Sequence, residues 1–163
     1  MKRFISLVLC AILILTCCVF QTNAVDEDES VPYIVDFSLS SRIYETERET
    51  AENRASGLIT YIDLKLSVSG TNLKILAETY GIADVVKSGF KNLVVQRRKN
   101  SSYSWSEYYD FGNVYVETNV ASLSTTLSVA SGYQYRLSCK HYAKKSLLVT
   151  QSISNTSGIV TVS

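Results

Sequence analysis

Apolar and polar residues alternate along most of the chain from residue 58 to the C-terminus. In the first alternating stretch, 58–68, one face is mainly apolar and the other mainly polar, as expected of a half-buried β-strand. A Ser-Gly-Thr-Asn turn at 69–72 leads into a second alternating stretch at 73–77, which predicts a hairpin. Similar stretches recur at 90–99, 103–116, 121–130, 133–143, 146–154 and 159–162. Since no stretch has the pattern of an amphipathic helix, we predict an all-β domain of about seven strands, folded as a two-sheet sandwich.

The N-terminal segment has a different pattern. After Lys2 and Arg3, fifteen of the seventeen residues at 4–20 are apolar and none is charged. This is the layout of a secretory signal peptide, and Thr22-Asn23-Ala24 supplies small residues at the cleavage spacing. We therefore predict a signal peptide at 1–24, whose removal leaves a secreted, extracellular protein with no stable membrane span. The alternative is a membrane anchor formed by the uncleaved segment, which is near the lower length limit for crossing a bilayer.

Three of the four cysteines, Cys10, Cys17 and Cys18, lie in this predicted signal peptide. Cleavage leaves Cys139 alone, so we expect no intramolecular disulfide in the mature chain. Lipidation of Cys17 or Cys18 is a second alternative for membrane attachment, although neither follows the usual small residue. Without disulfides the domain depends on apolar burial, which about 100 residues can just supply.

An acidic segment separates the predicted signal peptide from the first long strand. Residues 25–56 carry nine acidic and three basic residues, whereas 57–163 carry six acidic and eleven basic residues. We interpret 25–56 as an acidic, flexible leader and 57–163 as the β-sandwich domain. The chain without its first 24 residues is close to neutral, which argues against a general nucleic-acid binder.

The segment from Leu127 to Cys139 resembles one corner of immunoglobulin-like and fibronectin-type sandwiches. A strand ends, a turn follows at Ser131-Gly132, and tyrosines open the next strand. The resemblance implies an immunoglobulin-like β-sandwich in which Tyr135, or alternatively Tyr133, bonds back to the corner. The chain departs from antibody domains in having no second cysteine to pair with Cys139.

The whole layout is similar to that of a group of small secreted proteins of Gram-positive gut bacteria, whose function is unknown. The shared features are a signal peptide, an acidic leader containing Val31-Pro32-Tyr33, and one β domain with a Gly-Tyr-Gln-Tyr-Arg corner at 132–136 and a downstream histidine. This resemblance implies a secreted β-sandwich and transfers no catalytic residues.

Several kinds of reactive site lack the residues that they need. The mature chain has one histidine and one cysteine, too few for a usual metal site, and it has no phosphate-binding glycine loop and no Gly-x-Ser-x-Gly elbow. We therefore predict no metal, no cofactor and no enzymatic activity. The alternative enzyme is a cysteine-dependent one using Cys139 and His141. Side chains at i and i+2 of a strand are about 7 Å apart, too far for a direct hydrogen bond, so we expect Cys139 in the core and His141 at its rim.

The aromatic-rich stretch 101–115 offers the best candidate binding surface. If it is a regular strand, five side chains share one face: Tyr103, Trp105, Glu107, Tyr109 and Phe111. Aromatic rings beside carboxylate and amide groups are how many β-sandwich modules stack on sugar rings, and Tyr and Trp are also common at protein interfaces. The alternative is that this face buries the core.

These observations favour a secreted, non-catalytic binding or adhesion module with an extracellular glycan as its first candidate ligand. A protein-binding effector or structural surface protein is the alternative class, and a cysteine-dependent cell-surface enzyme is another. A basic cluster of Lys91, Arg97, Arg98 and Lys99 adjoins the aromatic stretch, where it could meet anionic wall polymers or form a solvated edge. The oligomeric state is left open.

Overall fold

A computed structural model describes residues 31–42 and 57–163. These residues form β-strands and contain no helix, so the prediction of an all-β fold is confirmed. In chain order the strands are β1 (Tyr33–Arg42), β2 (Ile59–Ser69), β3 (Asn72–Gly81), β4 (Lys87–Arg98), β5 (Ser106–Val116), β6 (Val120–Ser128), β7 (Tyr133–Lys144), β8 (Thr150–Thr156) and β9 (Val160–Val162).

The strands form two antiparallel sheets that pack face to face as a sandwich. The first sheet has the order β1-β6-β3-β2 and the second has the order β5-β4-β7-β8, with β9 paired to the other end of β7. The inner faces enclose one main apolar core, to which β3 and β6 contribute Leu73 and Leu123 and to which β4 and β7 contribute Leu93 and Leu137. The alternation of apolar residues therefore places one row of the central strands β3, β4, β6 and β7 in this core.

Strand β1 lies within the segment that the sequence assigned to a flexible leader. It pairs with β6 as the edge of the first sheet, with Phe37 opposite Thr125 and Leu39 opposite Leu123. The leader interpretation is therefore corrected for these ten residues. Apolar residues and serines alternate along part of this segment, as expected of a strand. The segment was nevertheless assigned to the leader because the residues around it are acidic. Apart from Val31 and Pro32, which precede β1, the rest of the predicted leader and the predicted signal peptide lie outside the described residues.

A buried tyrosine ties the turn between β6 and β7. The Tyr135 hydroxyl donates a hydrogen bond of 2.7 Å to the carbonyl oxygen of Ala130, and the Tyr135 side chain is fully buried. Gly132, in the turn, has a φ of +79°, and its N–H donates to the carbonyl oxygen of Val162 at 2.7 Å. Tyr133 is only partly buried. Tyr135 thus makes the bond back to the corner, and the turn is also joined to β9.

Gly89 of β4 lies where the backbones of β4 and β5 approach closely. Its φ is +152°, and a Cβ atom at this position would lie 2.1 Å from the carbonyl oxygen of Val114. Tyr115 and Tyr142 lie opposite Gly89 on its two neighbouring strands, and their rings meet edge to face with centroids 5.4 Å apart. Only glycine therefore fits this position, and the two tyrosines pair across it.

We expect Gly89→Ala to lower the free energy of unfolding by more than about 2 kcal/mol, because it adds both a disfavoured φ and a steric clash. Urea denaturation of the two proteins measures this difference. Gly158→Ala is the matched control, since a Cβ atom there meets nothing within 4 Å. Equal stability of the two variants would show that β4 and β5 do not approach as closely as described.

Tyr135→Phe removes only the hydroxyl that bonds to Ala130. We expect a loss of about 1–3 kcal/mol in the free energy of unfolding, because the buried carbonyl oxygen of Ala130 loses its partner. Tyr133→Phe should cost less, since the described residues provide no hydrogen bond to the Tyr133 hydroxyl. The same denaturation measurement compares the pair, and a larger loss at Tyr133 would contradict the assignment.

Candidate binding surface

The outer face of the second sheet, which we call the basic face, carries an unusual concentration of positive charge. Side chains of β4 and β7 alternate between the core and this face, so that Val95 and Leu137 are buried while Gln96 and Arg136 point outward. The basic residues on this face are Lys87, Lys91 and Arg98 of β4 and Arg136, Lys140 and Lys144 of β7. The acidic residues beside them are Glu107 and Asp110 of β5 and Glu117 just after it.

Trp105 lies against two arginines at one end of the basic face. The guanidinium carbon atoms of Arg98 and Arg136 are 4.4 Å and 4.3 Å from the centre of its ring. Each arginine is also held by a glutamine of the neighbouring strand. Arg98 Nε donates to Gln134 Oε1 at 2.8 Å, and Arg136 Nε donates to Gln96 Oε1 at 2.7 Å. These contacts fix both guanidinium groups against the indole with neutral partners.

The positive charges of Arg98 and Arg136 are not neutralised by the described part of the chain. No carboxylate of the described residues lies within 4.0 Å of either guanidinium group. Burial lowers the pKa of Arg136, and the neighbouring charge of Arg98 lowers it further. The glutamine bonds use the Nε–H groups, which leaves the Nη hydrogens for another partner. A phosphate, sulfate or carboxylate group placed here would relieve the repulsion between the two cations.

A β-bulge breaks the regular alternation expected for β5. Tyr109 lies opposite Val95, and Glu107 lies opposite Gln96, so Tyr108 is an extra residue between two adjacent pairs. The residues from Tyr109 to Phe111 therefore face the side opposite to the one that a regular strand would give, until further register shifts beyond Phe111 return Tyr115 to the basic face.

The predicted aromatic stripe is divided by this bulge. Trp105 and Glu107 lie on the basic face. Tyr109 and Phe111 pack against the main core, with ring centroids 4.8 Å apart, and Tyr103 is exposed before β5 begins. The expectation that all five residues share one face is wrong, and the alternative of core burial applies to Tyr109 and Phe111. Only Trp105 and Glu107 remain together as candidates for ligand contact on this sheet.

A second aromatic cluster lies towards the other end of the basic face. The Nζ atom of Lys91 is 3.9 Å from the ring centre of Tyr142, and that of Lys87 is 5.1 Å from the ring centre of Tyr115. Lys87 also forms an ion pair of 2.6 Å with Glu117. Both ends of the basic face therefore hold cations against aromatic rings.

Three basic residues of β7 belong to this face although no motif marks them in the sequence. Arg136, Lys140 and Lys144 follow one another at intervals of four residues, which places them on the same side of a strand. This spacing is the signal that could have identified them. Of the predicted basic cluster, Lys91 and Arg98 join them, because β4 pairs with β7.

Cys139 and His141 lie inside the sandwich. The Cys139 side chain is buried in the main core, and its burial raises the pKa of the thiol to about 12. His141 is fully buried, so the expectation that it lies at the rim of the core is wrong. Its Nδ1 atom is 2.8 Å from the hydroxyl oxygen of Thr79 on the facing sheet. A thiol with a raised pKa is a poor nucleophile, and His141 serves here as a polar link between the sheets.

The protonation of His141 follows from its surroundings. The hydroxyl of Thr79 donates to the carbonyl oxygen of Gly89 at 3.2 Å, so it accepts from His141 and the imidazole proton is assigned to Nδ1. The Nε2 atom has no hydrogen-bond partner among the described residues. Burial lowers the pKa of His141 to about 4, although the charge of Asp63 acts in the opposite direction. The imidazole is therefore neutral at pH 7.

We expect His141 to make the protein less stable as the pH falls from about 6.5 to about 4. In this range the unfolded chain binds a proton at His141 and the folded chain does not, so the free energy of unfolding decreases by up to about 3 kcal/mol. Urea denaturation at several pH values measures the decrease. Carboxylates also titrate in this pH range, so His141→Gln, which removes only the titration of His141, is the control. If the free energies of unfolding of the two proteins fell in parallel with pH, His141 would be excluded as the cause.

Within residues 31–42 and 57–163, no helix has the length and apolarity needed to cross a membrane. The same residues contain no group of three or more His, Cys, Asp or Glu side chains arranged to hold a metal ion. Comparisons of the chain with protein-family models, with curated proteins and with solved structures find no match.

Proposed function

We propose that this protein is a secreted, non-catalytic binding module that recognises an acidic glycan on its basic face. The observation that carries this proposal is the cluster of Trp105, Arg98 and Arg136. It combines an indole ring with two guanidinium groups whose Nη hydrogens are available and whose charges have no carboxylate partner in the described residues. Secretion rests on the predicted signal peptide at 1–24.

The chemistry of this cluster suits a sugar that carries an anionic group. A guanidinium group binds carboxylate, sulfate or phosphate through two parallel hydrogen bonds, and an indole ring packs against the C–H groups of a sugar. Glu107 lies opposite Gln96 at the edge of the cluster, where its carboxylate can accept hydrogen bonds from sugar hydroxyls. Because the arginines already contact the indole, we expect charge recognition to contribute more than ring stacking.

We also propose that the sandwich is immunoglobulin-like. The order β2-β3-β6 in the first sheet and β5-β4-β7-β8 in the second corresponds to strands A-B-E and C′-C-F-G of immunoglobulin domains. Strand β1 takes the edge position beside E that strand D occupies in constant-type domains. The hydrogen bond from Tyr135 to Ala130 lies at the corner between the strands that correspond to E and F, which supports the same assignment.

A protein partner is the second candidate, and it is favoured by exposed apolar residues away from the basic face. Leu147 and Leu148, at the tip of the β7–β8 hairpin, are 84% and 92% exposed. Phe37 on the edge strand β1 is half exposed. Apolar side chains in such positions are a feature of protein interfaces.

The fluorescence of Trp105, the only tryptophan of the chain, provides a direct binding assay. We expect a saturable change on titration with dextran sulfate or polygalacturonate and none with unmodified dextran, since only the first two are charged. Arg136→Gln should raise the dissociation constant at least about tenfold, because it removes a charge-assisted hydrogen bond.

Lys74→Gln is the control for a general loss of charge, because Lys74 is exposed on the outer face of the first sheet. It should bind dextran sulfate like the unmodified protein. Equal responses to dextran and dextran sulfate, or no response to any glycan, would contradict the proposal and direct attention to a protein partner.

A further inference from the structure

We infer that the ligand is an extended anionic polysaccharide, which lies along β4 and β7 from the Trp105 cluster to the paired lysines at the opposite end of the basic face. This inference rests on the proposed function and adds to it the length and direction of the ligand. It is drawn from like charges that face each other across two neighbouring strands.

Two pairs of lysines are directly opposite each other in the register of β4 and β7. Lys91 is opposite Lys140, and Lys87 is opposite Lys144. Like charges directly opposite on adjacent strands destabilise a sheet. Of these four lysines only Lys87 has a carboxylate of the described residues within 4.0 Å, so the repulsion between Lys91 and Lys140 is the one left uncompensated. A polyanion bound along the strands would neutralise both pairs.

The positive charges extend over a distance that a single sugar does not cover. Arg136 and Lys144 are eight residues apart on β7, which is about 27 Å along an extended strand, and Lys140 lies midway between them. On the neighbouring strand β4, Arg98 and Lys91 lie beside these residues. The charges therefore form a strip rather than a single anion site, and a strip fits a polymer with repeated charges.

The borders of the strip are suited to a glycan. On one side, the hydroxyl-bearing residues Ser152 and Ser154 of β8 lie opposite Tyr142 and Lys140 and can bond to sugar hydroxyls or to sulfate oxygens. On the other side, Asp110 and Glu117 would repel an anionic chain that left the strip. A polyanion is thereby confined to β4 and β7.

The aromatic residues of the strip favour a polysaccharide over a nucleic acid. Tyr142 is buried beneath Lys91, and its ring packs edge to face against Tyr115, so neither presents a free stacking platform in the middle of the strip. Binding of single-stranded nucleic acid commonly uses a series of exposed aromatic rings on which bases stack. The lysines are nevertheless held in place by these rings and keep their charge.

The test compares sulfated oligosaccharides of increasing length, from a disaccharide to a dodecasaccharide, by the fluorescence of Trp105 and by calorimetry. We expect affinity to rise with length until the strip is covered and then to level off. In the double variant Lys91→Gln/Lys140→Gln, the dodecasaccharide should bind at least tenfold more weakly. The disaccharide should bind as it does to the unmodified protein, because the variant leaves the Trp105 cluster intact.

Lys65→Gln/Lys74→Gln removes the same charge from the outer face of the first sheet and should leave both affinities unchanged. For the long ligand, the logarithm of the binding constant should fall linearly with the logarithm of the salt concentration, and each lysine removed from the strip should make this slope less steep. Lys140→Gln alone should not lower the urea midpoint, since it removes half of a repulsive pair. If Lys140 instead stabilised the fold, the same substitution would lower the urea midpoint.

The outcomes separate this inference from the function on which it rests. Equal affinity for short and long oligosaccharides, with no effect of the lysine variant, would overturn the strip and leave the proposed binding module in place. Absence of binding to any sulfated or uronic glycan would overturn both. Equal or tighter binding of single-stranded oligothymidylate at the same salt concentration would overturn the assignment to a polysaccharide.

Discussion

The fold depends on burying the inner faces of two sheets against each other, because the described residues contain no disulfide and Cys139 is a free, buried thiol. This requirement directs one row of side chains on the central strands into the core, from Leu73 and Leu123 on one sheet to Leu93 and Leu137 on the other. The alternate row is then free to vary in chemistry. The same burial explains the properties of His141, whose imidazole is kept neutral and is bound to Thr79 across the interface.

Local sequence was sufficient for most of the strands because their alternation is regular. The predicted strand at 58–68 is observed at Ile59–Ser69, and the predicted strand at 133–143 is observed at Tyr133–Lys144. The edge strand β1 was missed because its assignment depends on pairing with β6, which lies far away in the chain. An acidic segment around a short apolar alternation gives no local sign of that partner.

The candidate site could be predicted only in part, for two physical reasons. The bulge at Tyr108 depends on the register between β4 and β5, and an alternation pattern read along one strand cannot reveal it. The contact of Trp105 with Arg136 depends on the order of strands, since these residues come from elements that are neighbours only through β4. Trp105 could therefore be identified as a candidate from its residue type, whereas its partners could not.

The cations of the basic face are arranged differently from the lysines elsewhere in the chain. This difference indicates that the basic face binds a ligand and does not serve to stabilise the fold. Two lysines elsewhere form ion pairs with carboxylates, Lys65 with Asp63 and Lys145 with Asp84. Towards both ends of the basic face the chain places cations against aromatic rings, and at the Trp105 end also against glutamines, which fix their positions without a carboxylate. Such an arrangement lowers stability through repulsion between like charges, and carboxylates in the same positions would have removed that repulsion. A surface that retains its positive charge at this cost is most simply explained by an anionic ligand that completes it.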